Sequence, residues 1–319
     1  MKTSFWHTLP KPFFVLAPMA DVTDAPFRSI VARCGRPDVF YTEFVSAHGL
    51  VSAGRERLML DLALTETDHP IVAQFFGTNP EHLFSAGALA RELGFDGVDI
   101  NMGCPDRSIM KQGAGAGLIG QGTLAKELIH ALREGAGGLP VAVKTRIGKS
   151  NIDEMESWLT TVLDAKPDVL VAHGRTVKEM SKVPAHWDRI ADASTMAHEA
   201  GALCVGNGDI MSRAMGVECA QESGVDGVMV GRGIFHNPWI FNPSIDAESI
   251  TKEQRIELLI AHTQAWVAHW GEKKSFDLMK KFYKVYISGW PGAAHLRAQL
   301  MGVKTPAQVY DVMRTYTEK

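Results

Sequence analysis

The sequence predicts an α/β chain: a TIM (β/α)8 barrel followed by a C-terminal helical bundle. Three observations predict it. First, eight short apolar runs alternate with helical patterns between residues 13 and 230. Runs of that kind suit parallel strands covered on both faces, and eight of them suit a closed barrel better than an open sheet. Second, clear strand runs stop after Trp239, and Ile256, Leu259, Ile260, Thr263 and Val267 then follow helical spacing. Third, polar residues stand at the C-terminal end of one run after another, where a parallel barrel opens its mouth. With 319 residues, 45% of them hydrophobic, there is material for a large unit and a smaller one. The expected division is 1–242 for the barrel and 243–319 for the helices.

The elements follow in order. Residues 13–17 form the first strand, between Pro12 and Pro18. Asp24 is placed to cap a helix with Pro26 in its first turn, and Gly35 stops it. The second strand is expected at 39–42 and the third at 71–75, with a helix from 80 to 93. The stretch between the second strand and Pro70 is the least regular. The fourth strand spans 97–101 with its helix at 123–134. The fifth spans 141–145, with a helix at 153–164, and the sixth 169–173, with a helix at 187–200. Residues 202–205 and 227–230 complete the set. Asn242-Pro243-Ser244 reads as a linker. Later helices fit 276–288, 293–301 and 306–316, with Gly289 and Gly302 as stops.

Composition removes several classes of function. The net charge is −3, so any nucleic-acid surface must be a local patch. Cys34, Cys104, Cys204 and Cys219 form no C-x-x-C pair, which argues against zinc ribbons and cysteine-held clusters, and no metal is expected. Three of the four sit in apolar patterns as packing residues. No apolar run is long enough for a bilayer, and residues 1–7 lack the apolar core and cleavage site of a signal peptide. The expectation is a reduced, cytoplasmic, monomeric protein with no membrane partner.

The chemistry gathers around Asp99-Ile100-Asn101-Met102-Gly103-Cys104-Pro105. Gly103 and Pro105 end the strand, so the Cys104 thiol leaves it for the loop at the barrel mouth. Glu43, Gln74, Lys144, His173, Arg175, Asn207 and Arg232 stand at or near other strand ends. A lone buried Lys144 is costly unless a charge or ligand compensates it. Gly206-Asn207-Gly208 and Gly231-Arg232-Gly233, after the seventh and eighth strands, offer backbone N–H groups and a guanidinium to a phosphate tail. Lys144, deeper in, would stand by the electron-rich edge of a ring cofactor. Gly115-Ala116-Gly117-Leu118-Ile119-Gly120 spells G-x-G-x-x-G, but no strand immediately precedes it; it reads as a mobile flap beside Cys104.

These motifs resemble those of the tRNA-dihydrouridine synthases. The matching stretches are Ala17-Pro18-Met19-Ala20, Thr23-Asp24-Ala25-Pro26-Phe27-Arg28, Thr42-Glu43, Gln74-Phe75-Phe76-Gly77, the Asp99–Pro105 run, Gly113-Ala114-Gly115-Ala116, Val143-Lys144-Thr145-Arg146, His173-Gly174-Arg175-Thr176, Asn207-Gly208-Asp209-Ile210 and Gly231-Arg232-Gly233. They run in family order across the whole barrel. The resemblance implies FMN as the cofactor, NADPH as the reductant and tRNA as the partner. Pro18, Met19 and Ala20 would pack along the flavin, and Gln74 would bond its pyrimidine edge. Lys144 and His173 would lie near the ring. Asn207, Gly208, Asp209, Gly231 and Arg232 would hold the ribityl phosphate. Cys104 would give the proton to C5 of the uracil, with Asn101, Arg146 and Arg175 around the base. Asp21 stands where many members carry glycine.

A local basic patch is expected for the RNA. Lys273, Lys274, Lys280, Lys281, Lys284, Arg297 and Lys304 recur with Asp277 as the one acid among them, and Tyr283 and Tyr286 lie nearby. Of these, Lys280, Lys281, Lys284 and Arg297 are the candidate substrate contacts. Two rival readings share the fold: a flavoenzyme acting on free pyrimidines, and a non-catalytic RNA-binding protein.

Overall fold

A computed structural model describes residues 4–317. Residues 1–3 of the segment read for a leader, and the last two of the expected helical unit, lie outside the described residues. Eight strands, β1 (Phe13–Leu16), β2 (Phe40–Ser46), β3 (Ile71–Phe76), β4 (Gly97–Met102), β5 (Val141–Arg146), β6 (Val169–His173), β7 (Leu203–Asn207) and β8 (Gly227–Val230), pair in parallel around a ring. The ring closes between β1 and β2 through a Val15–Val39 bridge, with the Asp38 N–H donating to the Phe14 carbonyl at 2.8 Å. The architecture is a TIM barrel with helices after the strands.

The two faces of each strand follow the period-2 rule. Phe13, Val15, Ala17, Tyr41, Val72, Ala142, Val169, Val171, Val205 and Met229 point inward and fill the barrel. Trp6, 1% exposed, joins this inner cluster. Phe14, Leu16, Phe40, Val98, Ile100, Val143, Leu170 and Val228 point outward and pack under the helices. Each buried aromatic or branched side chain stabilises the fold by roughly 2 kcal/mol relative to exposure.

Several boundaries differ from the sequence expectation. β2 extends to Ser46, so Glu43 lies within the strand rather than after it, and the register shifts between Tyr41 and Phe44. β7 runs on to Asn207. A helix at Arg213–Ser223 was not anticipated, because its buried face is Gly216, Ala220 and Ser223, too small to register as an apolar stripe. The irregular stretch after β2 is a series of short helical turns, secured by a fully buried Arg28–Asp68 pair at 2.7 Å.

The first barrel helix, α1 (Ala25–Cys34), carries Asp24 as its N-cap, accepting from the Phe27 N–H. The same carboxylate accepts from Trp270 Nε1 at 2.9 Å, at the end of the Lys252–Trp270 helix. That long helix lies along α1. Its His262 meets Phe27 and Phe282, and Tyr286 Oη stands 2.9 Å from His262 Nδ1. The expected helix over 276–288 is a 3-10 segment at Phe276–Phe282 followed by one turn at Tyr283–Tyr286. Helices at Ala293–Gly302 and Pro306–Thr317 complete the bundle. Among the described residues no helix is long and apolar enough to cross a membrane.

Candidate active site

The alternation that packs valines in the lower barrel delivers polar side chains at its top. Ala142, Lys144 and Arg146 share one face of β5, as Val171 and His173 do on β6 and Val205 and Asn207 on β7. The register aligns them: Asn101 pairs with Lys144, Arg146 with His173, and His173 with Asn207. Parallel pairing thus brings together at one end residues that are far apart in the chain.

Cys104 sits half-buried on the loop after β4. Asn101 Oδ1 accepts from the Gly103 N–H at 3.1 Å and the Cys104 N–H at 2.9 Å, which fixes the turn. Asn101 Nδ2 donates to Gln74 Oε1 at 3.0 Å, and Gln74 Nε2 donates to Asp99 Oδ1 at 2.7 Å. Gln74 is fully buried and bonded at both ends of its amide. In this structure its amide is occupied by Asp99 and Asn101, and it supports the Cys104 turn from below. Arg146 Nε donates to the Gly103 carbonyl at 2.9 Å and its Nη1 to the Thr176 carbonyl at 3.0 Å. Arg146 braces the same turn from the other side through Nε and Nη1.

The glycine run is not a mobile flap. Gly115–Leu118 is a buried 3-10 turn, and the Ala116 N–H donates to the Cys104 carbonyl at 3.0 Å. Gly115 has φ +57°, and a Cβ there would come 2.9 Å from the Cys104 carbonyl oxygen. Glycine is required for the two loops to touch. Burial pushes the Cys104 thiol above its ordinary pKa, with Lys144 and Arg146 pulling the other way, so it stays protonated near neutrality.

Next to this turn, across β5, a cavity of about 200 Å³ opens at the ends of β1 and β5–β8. Pro18, Met19, Lys144, His173, Asn207, Gly208, Asp209, Gly231 and Arg232 line it; Ala20 is exposed outside it. Lys144 Nζ donates to Asn207 Oδ1 at 3.1 Å, and Asn207 Nδ2 donates to the Met229 carbonyl at 2.8 Å. Burial, with Arg146 adding to it, lowers Lys144 to about 8. Burial, followed by the Lys144 and Arg146 charges, holds His173 well below its ordinary value, so its imidazole is neutral.

Arg175 and Asp209 also line this cavity, and their side chains are bonded to each other. Arg175 is 2% exposed; it donates to the Val183 carbonyl at 2.6 Å and pairs with Asp209. Arg175 Nη1 stands 3.3 Å from His173 Nε2, and both side chains line the cavity. Asp209 also pairs with Arg232 at 3.0 Å, and these hydrogen bonds and charges outweigh burial to hold its carboxyl below the usual range. Its contribution is to aim Arg232, which is 58% exposed at the side chain.

The expected basic face is largely neutralised. Lys280 pairs with Asp277 at 2.6 Å and Lys281 with Asp21 at 2.8 Å, while Lys284 is exposed. Arg297 donates to the Ile287 carbonyl at 2.6 Å. Tyr283 and Tyr286 are buried and offer no stacking surface, because both belong to the bundle core. Lys274 turns to the barrel, 2.8 Å from Asp61 and 3.4 Å from Glu43. Glu43 in turn accepts the Asp21 N–H, and burial pushes it up to about 7.

Two groups at the site have no role assigned from sequence. Asp99, fully buried, is raised to about 7, chiefly by burial, and Tyr41 Oη stands 3.5 Å from it. The available signal was a carboxylate in the middle of an apolar strand.

A sequence profile described as Dihydrouridine synthase (Dus) matches residues 15–319. A probable tRNA-dihydrouridine synthase of Staphylococcus aureus (strain Mu50 / ATCC 700699) is 41% identical over 312 residues, covering 97% of this chain and 94% of that one. Probable tRNA-dihydrouridine synthase 2 of Bacillus subtilis (strain 168) is 41% identical over 323 residues, covering 100% and 98%. Among solved structures, morphinone reductase aligns with a TM-score of 0.53 at 12% identity, covering 74% of this chain and 86% of that one. A 2-naphthoyl-CoA reductase complex aligns at 0.55 with 10% identity, covering 72% and 49%. These two structural likenesses bear on the fold alone.

Proposed function

Because the chain belongs to the dihydrouridine synthase family, we propose that it reduces specific uridines of tRNA to 5,6-dihydrouridine, with FMN as bound cofactor and NADPH as reductant. The observation that carries this reading is a protonated thiol, Cys104, next to a mouth cavity whose lysine has no carboxylate bonded to it.

The donor set fits an FMN. Pro18 and Met19 give an apolar wall, Lys144 gives a cation, and the Gly208 and Gly231 loops with Arg232 give N–H groups and positive charge for a phosphate. When bound, FMN would supply the hydride for C6 of the uracil, with NADPH as the source of its electrons. Lys144 stabilises negative charge at the ring. Cys104 Sγ–H supplies the proton that C5 takes, and the Lys144 and Arg146 charges favour the thiolate left behind. Solvent returns that proton. Asn101 positions Cys104 by holding its backbone, and Gln74 and Asp99 hold Asn101. Neutral His173 is suited to hydrogen-bond a carbonyl of the base. A stacked uracil cannot reach this mouth, so the substrate nucleotide must be everted.

We assign residues 1–242 to the FMN-binding catalytic unit and 243–319 to tRNA binding, with Lys280, Lys281, Lys284 and Arg297 on the RNA side. A monomer in the reducing cytoplasm fits unpaired thiols and a tRNA substrate. The decisive test is nucleoside analysis of tRNA incubated with the purified yellow protein and NADPH. Dihydrouridine in tRNA, with no turnover of free uracil or orotate, is expected. A colourless protein, or turnover of free pyrimidines alone, overturns the assignment.

A further inference from the structure

We propose that the seam between barrel and bundle contains a second nucleotide site, which takes an unpaired nucleotide of the RNA strand that carries the reacting uridine. It rests on the tRNA reading above. A cavity of about 400 Å³ opens there, lined by Phe235, His236, Lys281, Lys284, Val285 and Ser288. Its barrel side is the Gly233–His236 turn, which directly follows the Gly231-Arg232 loop, so it adjoins the mouth where the uridine enters. Its bundle side is the Tyr283–Tyr286 turn.

The lining has the chemistry of a nucleotide site. Phe235 is partly exposed and gives an aromatic surface for a base, backed by the buried Val285. Lys281 and Lys284 supply two ammonium groups for phosphate, and His236 is exposed beside them. Stacking plus backbone cations is how unpaired nucleotides are held without a duplex. None of the lining residues is acidic. Lys284 has no acidic partner among the described residues, so it is free to take a phosphate.

Lys281 is occupied, and its partner points the same way. It is paired with Asp21, whose backbone is held at φ +52° and whose N–H is bonded to Glu43. The carboxylate of Asp21 sits on the Lys281 ammonium, where it takes the place of a phosphate. The pair is exposed at both ends, 43% and 56%, and such pairs are weak and exchange readily. RNA entering the cavity displaces Asp21 from Lys281.

The test uses the flavin-loaded full chain and whole tRNA, with affinity measured over a range of salt and dihydrouridine formation followed in parallel. Phe235→Leu keeps the apolar bulk and is expected to weaken tRNA binding by about tenfold. Lys284→Ala is expected to lower the salt slope by about 0.7 to 0.9. Asp21→Asn is expected to tighten binding severalfold and steepen the slope, and Lys281→Ala should abolish that gain. The flavin spectrum and unfolding temperature report folding; should Phe235→Leu misfold, the exposed Lys284 and Asp21 variants decide. Wild-type affinity and slope in Lys284→Ala, or an Asp21→Asn gain that persists without Lys281, overturns the site. If the wild type modifies tRNA while every variant matches it, this site and the placing of Lys281 and Lys284 on the RNA side fail together, and the uridine-reducing reading stands. If the wild type neither binds nor modifies tRNA, the parent reading fails with it.

Discussion

Lys144 at the barrel mouth and Lys274 at the barrel–bundle seam are both drawn largely out of water, and the fold treats them in opposite ways. Lys144 bonds a neutral amide, Asn207, and burial lowers it to about 8. Asp99, the carboxylate whose charge reaches it, is itself raised to about 7. Lys274 lies between Asp61 and Glu43 and over the Trp270 ring at 4.3 Å, and these acids raise it despite burial. A buried cation with compensated charge is a joint. A buried cation held by neutral groups is prepared for an anion that arrives from outside. On this contrast the proposed chemistry belongs at the mouth, and Lys274 ties the bundle to the barrel.

Four measurements break or sharpen this contrast. The largest effect is expected at the mouth: Cys104→Ala should lower dihydrouridine formation by about a thousandfold, within the range for losing a general acid, while retaining flavin colour. A fully active variant removes Cys104 from the proton step. Lys144→Met should lower turnover about a hundredfold and weaken flavin binding, with little loss of fold stability, because a costly buried cation is removed. Lys274→Met should do the reverse, costing about 2 kcal/mol in denaturant unfolding and leaving the flavin spectrum unchanged. That is below the usual cost of breaking a buried pair because Glu43 can take up a proton. If Lys274→Met instead stops turnover at unchanged stability, the seam lysine belongs to the chemistry and the contrast fails.

The smallest effect is a pH slope. Glu43 is raised from 4.5 to about 7 in the folded chain, so between those values the native state binds more protons than the unfolded one. Its contribution to stability is full below 4.5 and is lost as pH rises through 7, by at most about 1.4 kcal/mol per pH unit. Glu43→Gln should remove that slope, measured as the difference between variant and wild-type unfolding midpoints at pH 5 and pH 7. An identical slope in both proteins would mean Glu43 is ionised throughout and paired more tightly than its burial implies.

Much of the strand order was legible because strands are local objects. Val169–His173 and Gly227–Val230 were readable to the residue, as short apolar runs bounded by polar or glycine positions. The Arg213–Ser223 helix was not, since it packs through glycine, alanine and serine against Phe14 and its neighbours. Cys104 could be placed on its loop from Gly103 and Pro105 alone. The work done by Gln74, Arg146 and Arg175 could not be read so easily. Each carries a polar group that would suit a ligand, and only the fold shows those groups bonded to Asp99, to the Gly103 carbonyl and to Asp209. The same holds for Tyr283 and Tyr286, whose spacing beside lysines suggested an RNA surface and whose rings are buried in the bundle.

The sequence by itself determined the alternation of strand and helix, the family motifs and the loop that carries the thiol. These depend on neighbours within a few positions, where backbone preference and periodicity act directly. Only the tertiary structure decided which polar side chains meet the mouth and which are consumed in holding it. A charged group's role depends on the partner that closes its hydrogen bonds and on how much water is left around it. Here those partners lie up to 260 positions away, as Lys281 does from Asp21.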